Sequence, residues 1–282
     1  MPVRQPSRER ASHMMEPLRL LCVLAHPDDE SLGVGGTLAK YAAQGVETYL
    51  ITATRGERGW WGDEQEYPGP EALGRIREQE LLAAAQVLRL REVHFLGYID
   101  GELDQANPTE AIARIVGHLR RLKPHVVITF DPFGGYGHPD HIAISQFTTA
   151  AVVAAADPDY IYTDEFAPHR VAKLYYMAFT HDVHTVYQSI FGDLVMRVDG
   201  TERRAVDWPE WAITTRIDAE AHWRRAWQAI TCHKSQLPGY AALENLPEEQ
   251  HKGLWGCQTY YRAYSTVNGG RRIEDDLFAG LR

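Results

Sequence analysis

Residues 18–25 read LRLLCVLA, and residues 26–30, which follow directly, read HPDDE. A continuous apolar run rich in Leu and Val is typical of a strand buried on both faces of a parallel sheet. The polar residues that follow it therefore lie at the carboxyl end of a strand, where open α/β sheets bind their ligands. This junction predicts both the class of fold and the place of the functional site.

Apolar segments alternate with helical patterns along much of the remaining chain. Strands are predicted at 46–53, 92–96, 125–130 and 171–179, and helices at 36–43, 71–88, 109–122, 138–156 and 217–232. Such alternation implies βαβ units with right-handed crossovers. We therefore predict an α/β fold with a Rossmann-like, mostly parallel sheet flanked by helices and an active site at the carboxyl ends of the strands.

The domain organisation is predicted to be simple. Residues 17–282 should form a single α/β domain whose C-terminal part has the least regular pattern. Residues 1–16 are polar and contain Ser12-His13-Met14, which resembles a cloning scar. We expect a disordered or tag-derived extension there, since it lacks the apolar core of a secretory signal.

Composition excludes several classes of partner. The 282 residues carry a formal charge of −9 without a long basic block, which argues against binding to nucleic acid. No apolar stretch is long enough for a membrane span. The three cysteines, Cys22, Cys232 and Cys257, form no Cys-x-x-Cys pair, so we expect a reducing, cytoplasmic compartment. Homo-oligomerisation is left open.

Two turns rich in potential metal ligands follow predicted strands. The first turn (residues 25–30) contains His26 and Asp29, and the second turn (residues 134–141) reads GGYGHPDH. Either turn alone is explained by helix capping, because Asp before a helix caps its first amides. Together they favour a metal site, since imidazole and carboxylate are ordinary zinc ligands and catalytic zinc keeps three protein ligands and a water. Asp28 would then be free to transfer a proton.

The sequence AHPDDE at 25–30, followed by HPDH at 138–141, resembles the PIG-L/LmbE-like de-N-acetylase family. That family includes N-acetylglucosaminyl-phosphatidylinositol deacetylases and deacetylases of the mycothiol and bacillithiol pathways. The resemblance covers residues 18–150 well and extends weakly to about residue 240. It implies zinc ligands His26, Asp29 and His141, general base Asp28, and oxyanion-stabilising groups His138 and Tyr136.

Weaker similarities suggest substrate contacts. The resemblance assigns Arg77 and Asp100 to the substrate, although Arg77 could instead pair with Glu80 within a helix and Asp100 could be only a turn residue. Trp60 and Trp61 lie in a polar, Gly-rich loop. We expect them to stack on a sugar ring, with loop packing as the alternative.

These observations predict a zinc-dependent hydrolase that cleaves an N-acyl, most simply N-acetyl, amide on an amino-sugar or glycoconjugate. Fe²⁺ is an alternative metal for His and Asp ligands. An amidase acting on thiol–sugar conjugates and a non-catalytic metal- or sugar-binding module are alternative functions. A nucleotide site at residues 33–36 (GVGG) is a weaker alternative, because the Gly-x-Gly-x-x-Gly spacing is absent.

Overall fold

The computed structural model describes residues 16–160, 166–193, 195–270 and 272–282, so the predicted N-terminal extension lies outside the described residues except for Glu16. The strands are β1 (Arg19–Leu24), β2 (Glu47–Thr52), β3 (Glu92–Phe95), β4 (Val126–Thr129), β5 (Lys173–Met177), β6 (Val195–Val198), β7 (Thr201–Arg204), β8 (Thr215–Asp218) and β9 (Cys257–Ser265). The helices are α1 (Asp29–Ala43), α2 (Pro70–Leu88), α3 (Pro108–Leu122), the single distorted turn α4 (Gly134–Gly137), α5 (Pro139–Ala154), α6 (His181–Phe191), α7 (Trp223–Ile230), α8 (Leu237–Glu244) and α9 (Glu248–Trp255).

Seven strands form one sheet in the order β3-β2-β1-β4-β5-β9-β8, and β6 and β7 form a separate hairpin. The first five strands in the chain pair in parallel, whereas β9 runs antiparallel to both β5 and β8. The prediction of a mostly parallel, Rossmann-like sheet flanked by helices is confirmed. No described helix combines the length and apolar character that a bilayer crossing requires.

Strand order reverses between β1 and β4. From β1 the chain builds outward through β2 and β3, then returns to place β4 on the other side of β1. Leu20 to Leu24 of β1 are fully buried, as expected for a strand with neighbours on both edges and helices on both faces. The carboxyl ends of β1 and β4 thus flank the crevice where such sheets bind ligands.

Helix α1 begins at Asp29, seven residues earlier than predicted, so residues 33–36 lie inside the helix and form no phosphate-binding loop. Their glycines serve close packing. A Cβ on Gly36 would lie 2.3 Å from the carbonyl oxygen of Trp255, and one on Gly35 would lie 3.1 Å from the Cβ of Ala226 in α7. Gly35 and Gly36 thus pack against neighbouring helices, whereas Gly33 packs on the sheet, since a Cβ there would lie 2.9 Å from Sδ of Met177 in β5.

The predicted helix at 217–232 is wrong in its first half. Ile217 belongs to β8, in which buried Thr215 and Ile217 alternate with less buried residues, and α7 starts only at Trp223. The four-residue strand exists because it pairs with β9, some forty residues later in the chain. Local periodicity carries no information about such a distant partner.

Candidate metal centre and active site

The first turn leaves β1 through an unusual backbone conformation at Asp28. Its φ of 108° and ψ of −27° are left-handed, a region unfavourable for residues with a Cβ. Although Asp28 holds the N-cap position of α1, its side chain makes no capping hydrogen bond. Asp29 folds back instead, and its Oδ2 accepts hydrogen bonds from the backbone N–H groups of Ala25 (3.1 Å) and His26 (2.7 Å). Capping by Asp28 therefore does not explain this turn.

The second turn owes its shape to glycine. Gly134, Gly135 and Gly137 have φ values of 69°, 72° and 85°, which residues with a Cβ rarely adopt. His138 then caps α5, because its Nδ1 accepts the backbone N–H of Asp140 at 3.1 Å. The capping alternative is thus correct for His138, and it leaves His141 one turn further on, facing the first turn.

Three donor groups converge where the two turns meet. His26 Nδ1 lies 3.2 Å from His141 Nε2. His141 Nε2 is 3.6 Å from Asp29 Oδ1, and His26 Nδ1 is 3.9 Å from Asp29 Oδ2. Bonds of about 2.1 Å in a tetrahedral zinc site place neighbouring donors about 3.4 Å apart. The two imidazole nitrogens have this spacing, and the two oxygens of Asp29 each lie close to one of them, so His26, Asp29 and His141 are candidates to bind one metal ion.

The hydrogen bonds of the two histidines assign their tautomers. His26 Nε2 lies 3.0 Å from Asp100 Oδ1 and 3.1 Å from Asp140 Oδ2, so this nitrogen carries a proton and Nδ1 carries a lone pair. His141 Nδ1 donates to the carbonyl oxygen of Gly134 at 3.3 Å, which leaves a lone pair on Nε2. His26 Nδ1 and His141 Nε2 thus face each other at 3.2 Å, an arrangement that is favourable with a proton on His26 Nδ1 or with a metal ion between the two nitrogens.

The pKa values of His26 and His141 are shifted in opposite directions. Burial alone would lower the pKa of His26, but hydrogen bonds to Asp100 and Asp140 raise it well above its usual value. Burial, reinforced by charged His26, holds the pKa of His141 well below its usual value. Without metal, a single proton therefore lies between the two rings, at the place suited to a metal ion.

Two other donor sets share His26, namely His26 with His138 and His141, and His26 with Asp100 and Asp140. His138 is a poor ligand here, because its Nδ1 accepts an amide proton and its Nε2 must therefore carry hydrogen. Burial, followed by the charge of His26, lowers the pKa of His138 to about 4, so this ring is neutral. Asp100 and Asp140 approach the rear nitrogen of His26, the usual place for carboxylates that orient a metal-binding histidine.

The carboxylate of Asp28 is held from behind. Its Oδ2 accepts hydrogen bonds from Arg77 Nη2 (3.1 Å) and from the Tyr240 hydroxyl (2.7 Å). Arg77 is 3% exposed and also donates to the carbonyl oxygens of Pro27 and Gly56. The guanidinium thus supports Asp28, and the predicted contact of Arg77 with substrate stays a prediction. The alternative partner, Glu80, instead accepts hydrogen bonds from the backbone and side chain of Ser235.

A buried ion pair lies beneath Asp28. Glu30 Oε1 is 2.8 Å from His233 Nε2, and Glu30 Oε2 accepts the backbone N–H of Asp28 at 3.0 Å. Burial alone would raise the pKa of Glu30 and lower that of His233, but their attraction shifts both pKa values the other way. Both side chains therefore carry charge, and Glu30 supports the first turn through the backbone N–H of Asp28.

The remaining predicted residues lie around this centre. The ring of Tyr136 packs edge-on against His138 and His141, at centroid distances of 6.0 and 5.4 Å. Trp60 donates to the carbonyl oxygen of Asp63, whereas Trp61 is 59% exposed. Trp61 packs against Gly239, next to Tyr240, because a Cβ on Gly239 would meet its ring at 2.8 Å. Trp61 therefore borders the active-site edge, and its predicted contact with sugar remains a prediction.

Sequence reasoning missed three members of the site. Asp140 lies between two predicted residues, and its carboxylate joins His26 to the backbone N–H groups of Gly101 and Leu103. His233 follows α7 at the start of an HKSQ segment, far in the sequence from both turns. Tyr240 carries no local signal, because only the packing of α8 brings it to Asp28.

Comparison with known proteins adds an independent finding. Residues 21–152 match the family model described as PIG-L: GlcNAc-PI de-N-acetylase. The chain is 35% identical to a 1D-myo-inositol 2-acetamido-2-deoxy-alpha-D-glucopyranoside deacetylase of Geodermatophilus obscurus, over 93% of this chain and 98% of that protein. It is 30% identical to a mycothiol S-conjugate amidase of Streptomyces coelicolor, over 95% of this chain and 99% of that protein.

Among solved structures, the chain resembles the conserved protein TT1542 from Thermus thermophilus. The TM-score is 0.64 at 26% identity, and the likeness covers 89% of this chain and 97% of that one. The shared architecture therefore extends over most of the chain.

Proposed function

The chain belongs to the PIG-L, or GlcNAc-PI de-N-acetylase, family, and we propose that it is a zinc-dependent hydrolase that removes an N-acetyl group from an amino-sugar substrate. One observation carries the proposal. The ring nitrogens His26 Nδ1 and His141 Nε2 face each other at 3.2 Å beside the Asp29 carboxylate, while the neighbouring Asp28 carboxylate makes no capping hydrogen bond.

The donor set fits zinc. His26, Asp29 and His141 supply two neutral nitrogens and one carboxylate oxygen, and three protein ligands are typical of a catalytic site with an open fourth position. When bound there, zinc would polarise the amide carbonyl and lower the pKa of a coordinated water to about 7. Asp100 and Asp140 would hold the His26 ring in the binding tautomer.

Asp28 would act as general base towards the attacking water. Arg77 and Tyr240 both use Oδ2, which leaves Oδ1 as the acceptor for a proton among the contacts of the described residues. Both hydrogen bonds also restrain rotation of the carboxylate, so Oδ1 keeps one direction. As the carbon–nitrogen bond breaks, Asp28 would return the proton to the nitrogen of the departing amine, and acetate and the free amine would leave.

His138 and Tyr136 would stabilise the negative charge that develops on the carbonyl oxygen. Because His138 Nδ1 accepts a backbone N–H, its Nε2–H is available as a donor. The ring of Tyr136 lies edge-on beside it, so its hydroxyl can serve as a second donor. Preorganised donors of this kind act where charge appears in the transition state.

The relatives differ in the bond they cleave, since one is named as a deacetylase of a glucosaminyl-inositol and another as an amidase of mycothiol S-conjugates. The exposed Trp61 at the rim favours a substrate with a sugar ring or another flat group that stacks on indole. We keep the conjugate amidase as the second candidate because its relative also aligns with this chain from end to end.

A primary-amine release assay with zinc-loaded protein would test this function. The panel should contain N-acetylglucosaminyl-inositol, free N-acetylglucosamine, N,N′-diacetylchitobiose and a thiol S-conjugate that carries the same sugar, with bound metal measured in parallel. We expect one zinc per chain and turnover of at least one panel member. A chain that binds no divalent metal, or that binds zinc and releases amine from none of these compounds, would refute the proposal.

A further inference from the structure

The ion pair of Glu30 and His233 lies in an unusual place for two charges. Both side chains have no solvent exposure, and 203 residues separate them in sequence. Burying charge is costly, and an apolar pair of similar volume often stabilises a fold as well or better. The pair therefore calls for a function that two apolar side chains could not perform.

Glu30 divides its two oxygens between different partners. Oε1 receives His233 Nε2 and the Ser31 hydroxyl, whereas Oε2 receives only the backbone N–H of Asp28 among the described contacts. The hydrogen bond from the Asp28 N–H to Glu30 Oε2 spans two residues and closes a hydrogen-bonded ring within the first turn. Since an apolar side chain has no acceptor for this N–H, the contact requires a side-chain oxygen at position 30.

The N–H that Glu30 accepts belongs to the residue with the left-handed backbone. Asp28 has a φ of 108°, and in this conformation its side chain leaves the axis of α1 and reaches Arg77 and Tyr240. In an ordinary N-cap conformation the same carboxylate would accept the first amides of the helix. The direction of the Asp28 carboxylate is thus coupled to the Glu30 contact.

We propose that Glu30 is a positioning residue for Asp28, and that the hydrogen bond from His233 holds the Glu30 side chain in the required rotamer. The inference rests on the proposed function, since it gives Asp28 a part in hydrolysis. Neither residue touches the metal donors directly. The hydrogen bond from the pair to the first turn ends on the backbone of Asp28, so its loss should reduce kcat while substrate affinity and metal content remain.

Glu30→Met removes the acceptor at similar volume, and Glu30→Gln keeps an oxygen for the Asp28 N–H. We expect Glu30→Met to lower kcat per bound zinc about 10- to 100-fold, because small misplacements of a catalytic group have effects of this size. KM should stay within about threefold, and Glu30→Gln should recover most of the lost kcat. If Glu30→Met does not fold, Glu30→Asp keeps the charge for His233 but is one methylene too short to hold both partners.

Glu274→Met is a matched control. Glu274 is also a buried carboxylate, paired with Lys173 at 2.8 Å and with the Tyr175 hydroxyl at 2.6 Å. Because Lys173 is the first residue of β5, this pair lies at the opposite end of the strand from the carboxyl end. Its loss should lower the melting temperature without changing kcat per folded, zinc-loaded chain. A purely structural role for Glu30 would make the two Met variants behave alike.

Backbone amide exchange at Asp28, followed by NMR, reads the contact without any substrate. Glu30→Met and Glu30→Asp should speed this exchange, whereas Glu30→Gln and Glu274→Met should not. Unchanged exchange in Glu30→Met, or unchanged kcat with active wild-type protein, would overturn the inference. A wild type that is inactive on every substrate would instead refute the proposed function, while the exchange data would still report on the contact.

Discussion

The first turn (residues 25–30) is held mainly by side chains from distant parts of the chain, whereas the backbone of the second turn (residues 134–141) is shaped mainly by its own glycines. Arg77, His233 and Tyr240 reach the first turn from α2, from the segment after α7, and from α8. In the second turn, three glycines with positive φ shape the backbone. The two turns contribute to one metal centre by different physical means.

Charge explains the difference. The first turn has three consecutive carboxylates, and each has its own source of positive charge: Arg77 for Asp28, the metal or a proton on His26 for Asp29, and His233 for Glu30. Without such partners, the carboxylates would repel one another in a buried site. The second turn carries one carboxylate, Asp140, so its shape depends mainly on which backbone angles are allowed. Side-chain changes should therefore damage the first turn most, and glycine changes the second.

The largest effects, on activity, should distinguish the roles of His26 and Asp28 in the first turn. His26→Ala should lose zinc and about 1,000-fold or more in activity, since the metal contributes several kcal/mol to the transition state. Asp28→Asn should keep one zinc per chain and lose about 10²- to 10⁴-fold in kcat, the usual contribution of a general base. Metal analysis and steady-state kinetics on the same samples would check both. Zinc loss in Asp28→Asn would place Asp28 among the ligands and remove the proposed division of labour.

A smaller effect should come from Asp100, whose loop also contacts Asp140 of the second turn. Its contact with His26 Nε2 predicts that Asp100→Ala weakens zinc affinity about 10-fold or somewhat more, as is usual for carboxylates behind a metal-binding histidine. Competition with a chelator would measure this change. A sugar contact by Asp100 predicts the opposite pattern, in which KM rises and zinc affinity is unchanged.

The smallest effect should appear in the second turn, in stability rather than in metal affinity. Gly137→Ala places a Cβ at a φ of 85° and 2.6 Å from the Cβ of Arg203, so we expect about 1–3 kcal/mol of destabilisation. Gly45→Ala is the control, because Gly45 has a φ of 81° but no atom within 4 Å of the added Cβ. Denaturant unfolding should give a lower free energy of unfolding for Gly137→Ala than for Gly45→Ala. Equal losses would mean that the hairpin carrying Arg203 does not pack tightly on the turn.

The residues that sequence could predict are those whose placement depends on neighbours in the chain. His26 and His138 each follow a buried strand, and parallel strands bring their carboxyl ends to one edge, so the meeting of the two turns was foreseeable. The ligand assignment to His26, Asp29 and His141 matches the donor spacing in the structure and stays a prediction until metal is measured.

What could not be predicted depends on contacts between distant segments. Tyr240 and His233 gain their roles only through the docking of α7 and α8 near Asp28, and no periodic pattern encodes that docking. The strand at Thr215–Asp218 was missed for the same reason, since β9 supplies its partner. The left-handed backbone at Asp28 was also unforeseen, because an Asp before a helix ordinarily predicts a cap.

The long separation between Glu30 and His233 has a consequence for synthesis. A ribosome makes both metal-binding turns well before it reaches His233 and Tyr240, so a nascent chain holds all three metal donors while Glu30 and Asp28 still lack these partners. Hydrolytic competence should consequently arrive with the final fifth of the polypeptide rather than with the metal. Translation thereby imposes a built-in delay between the synthesis of the candidate metal donors and the synthesis of the side chains that support them.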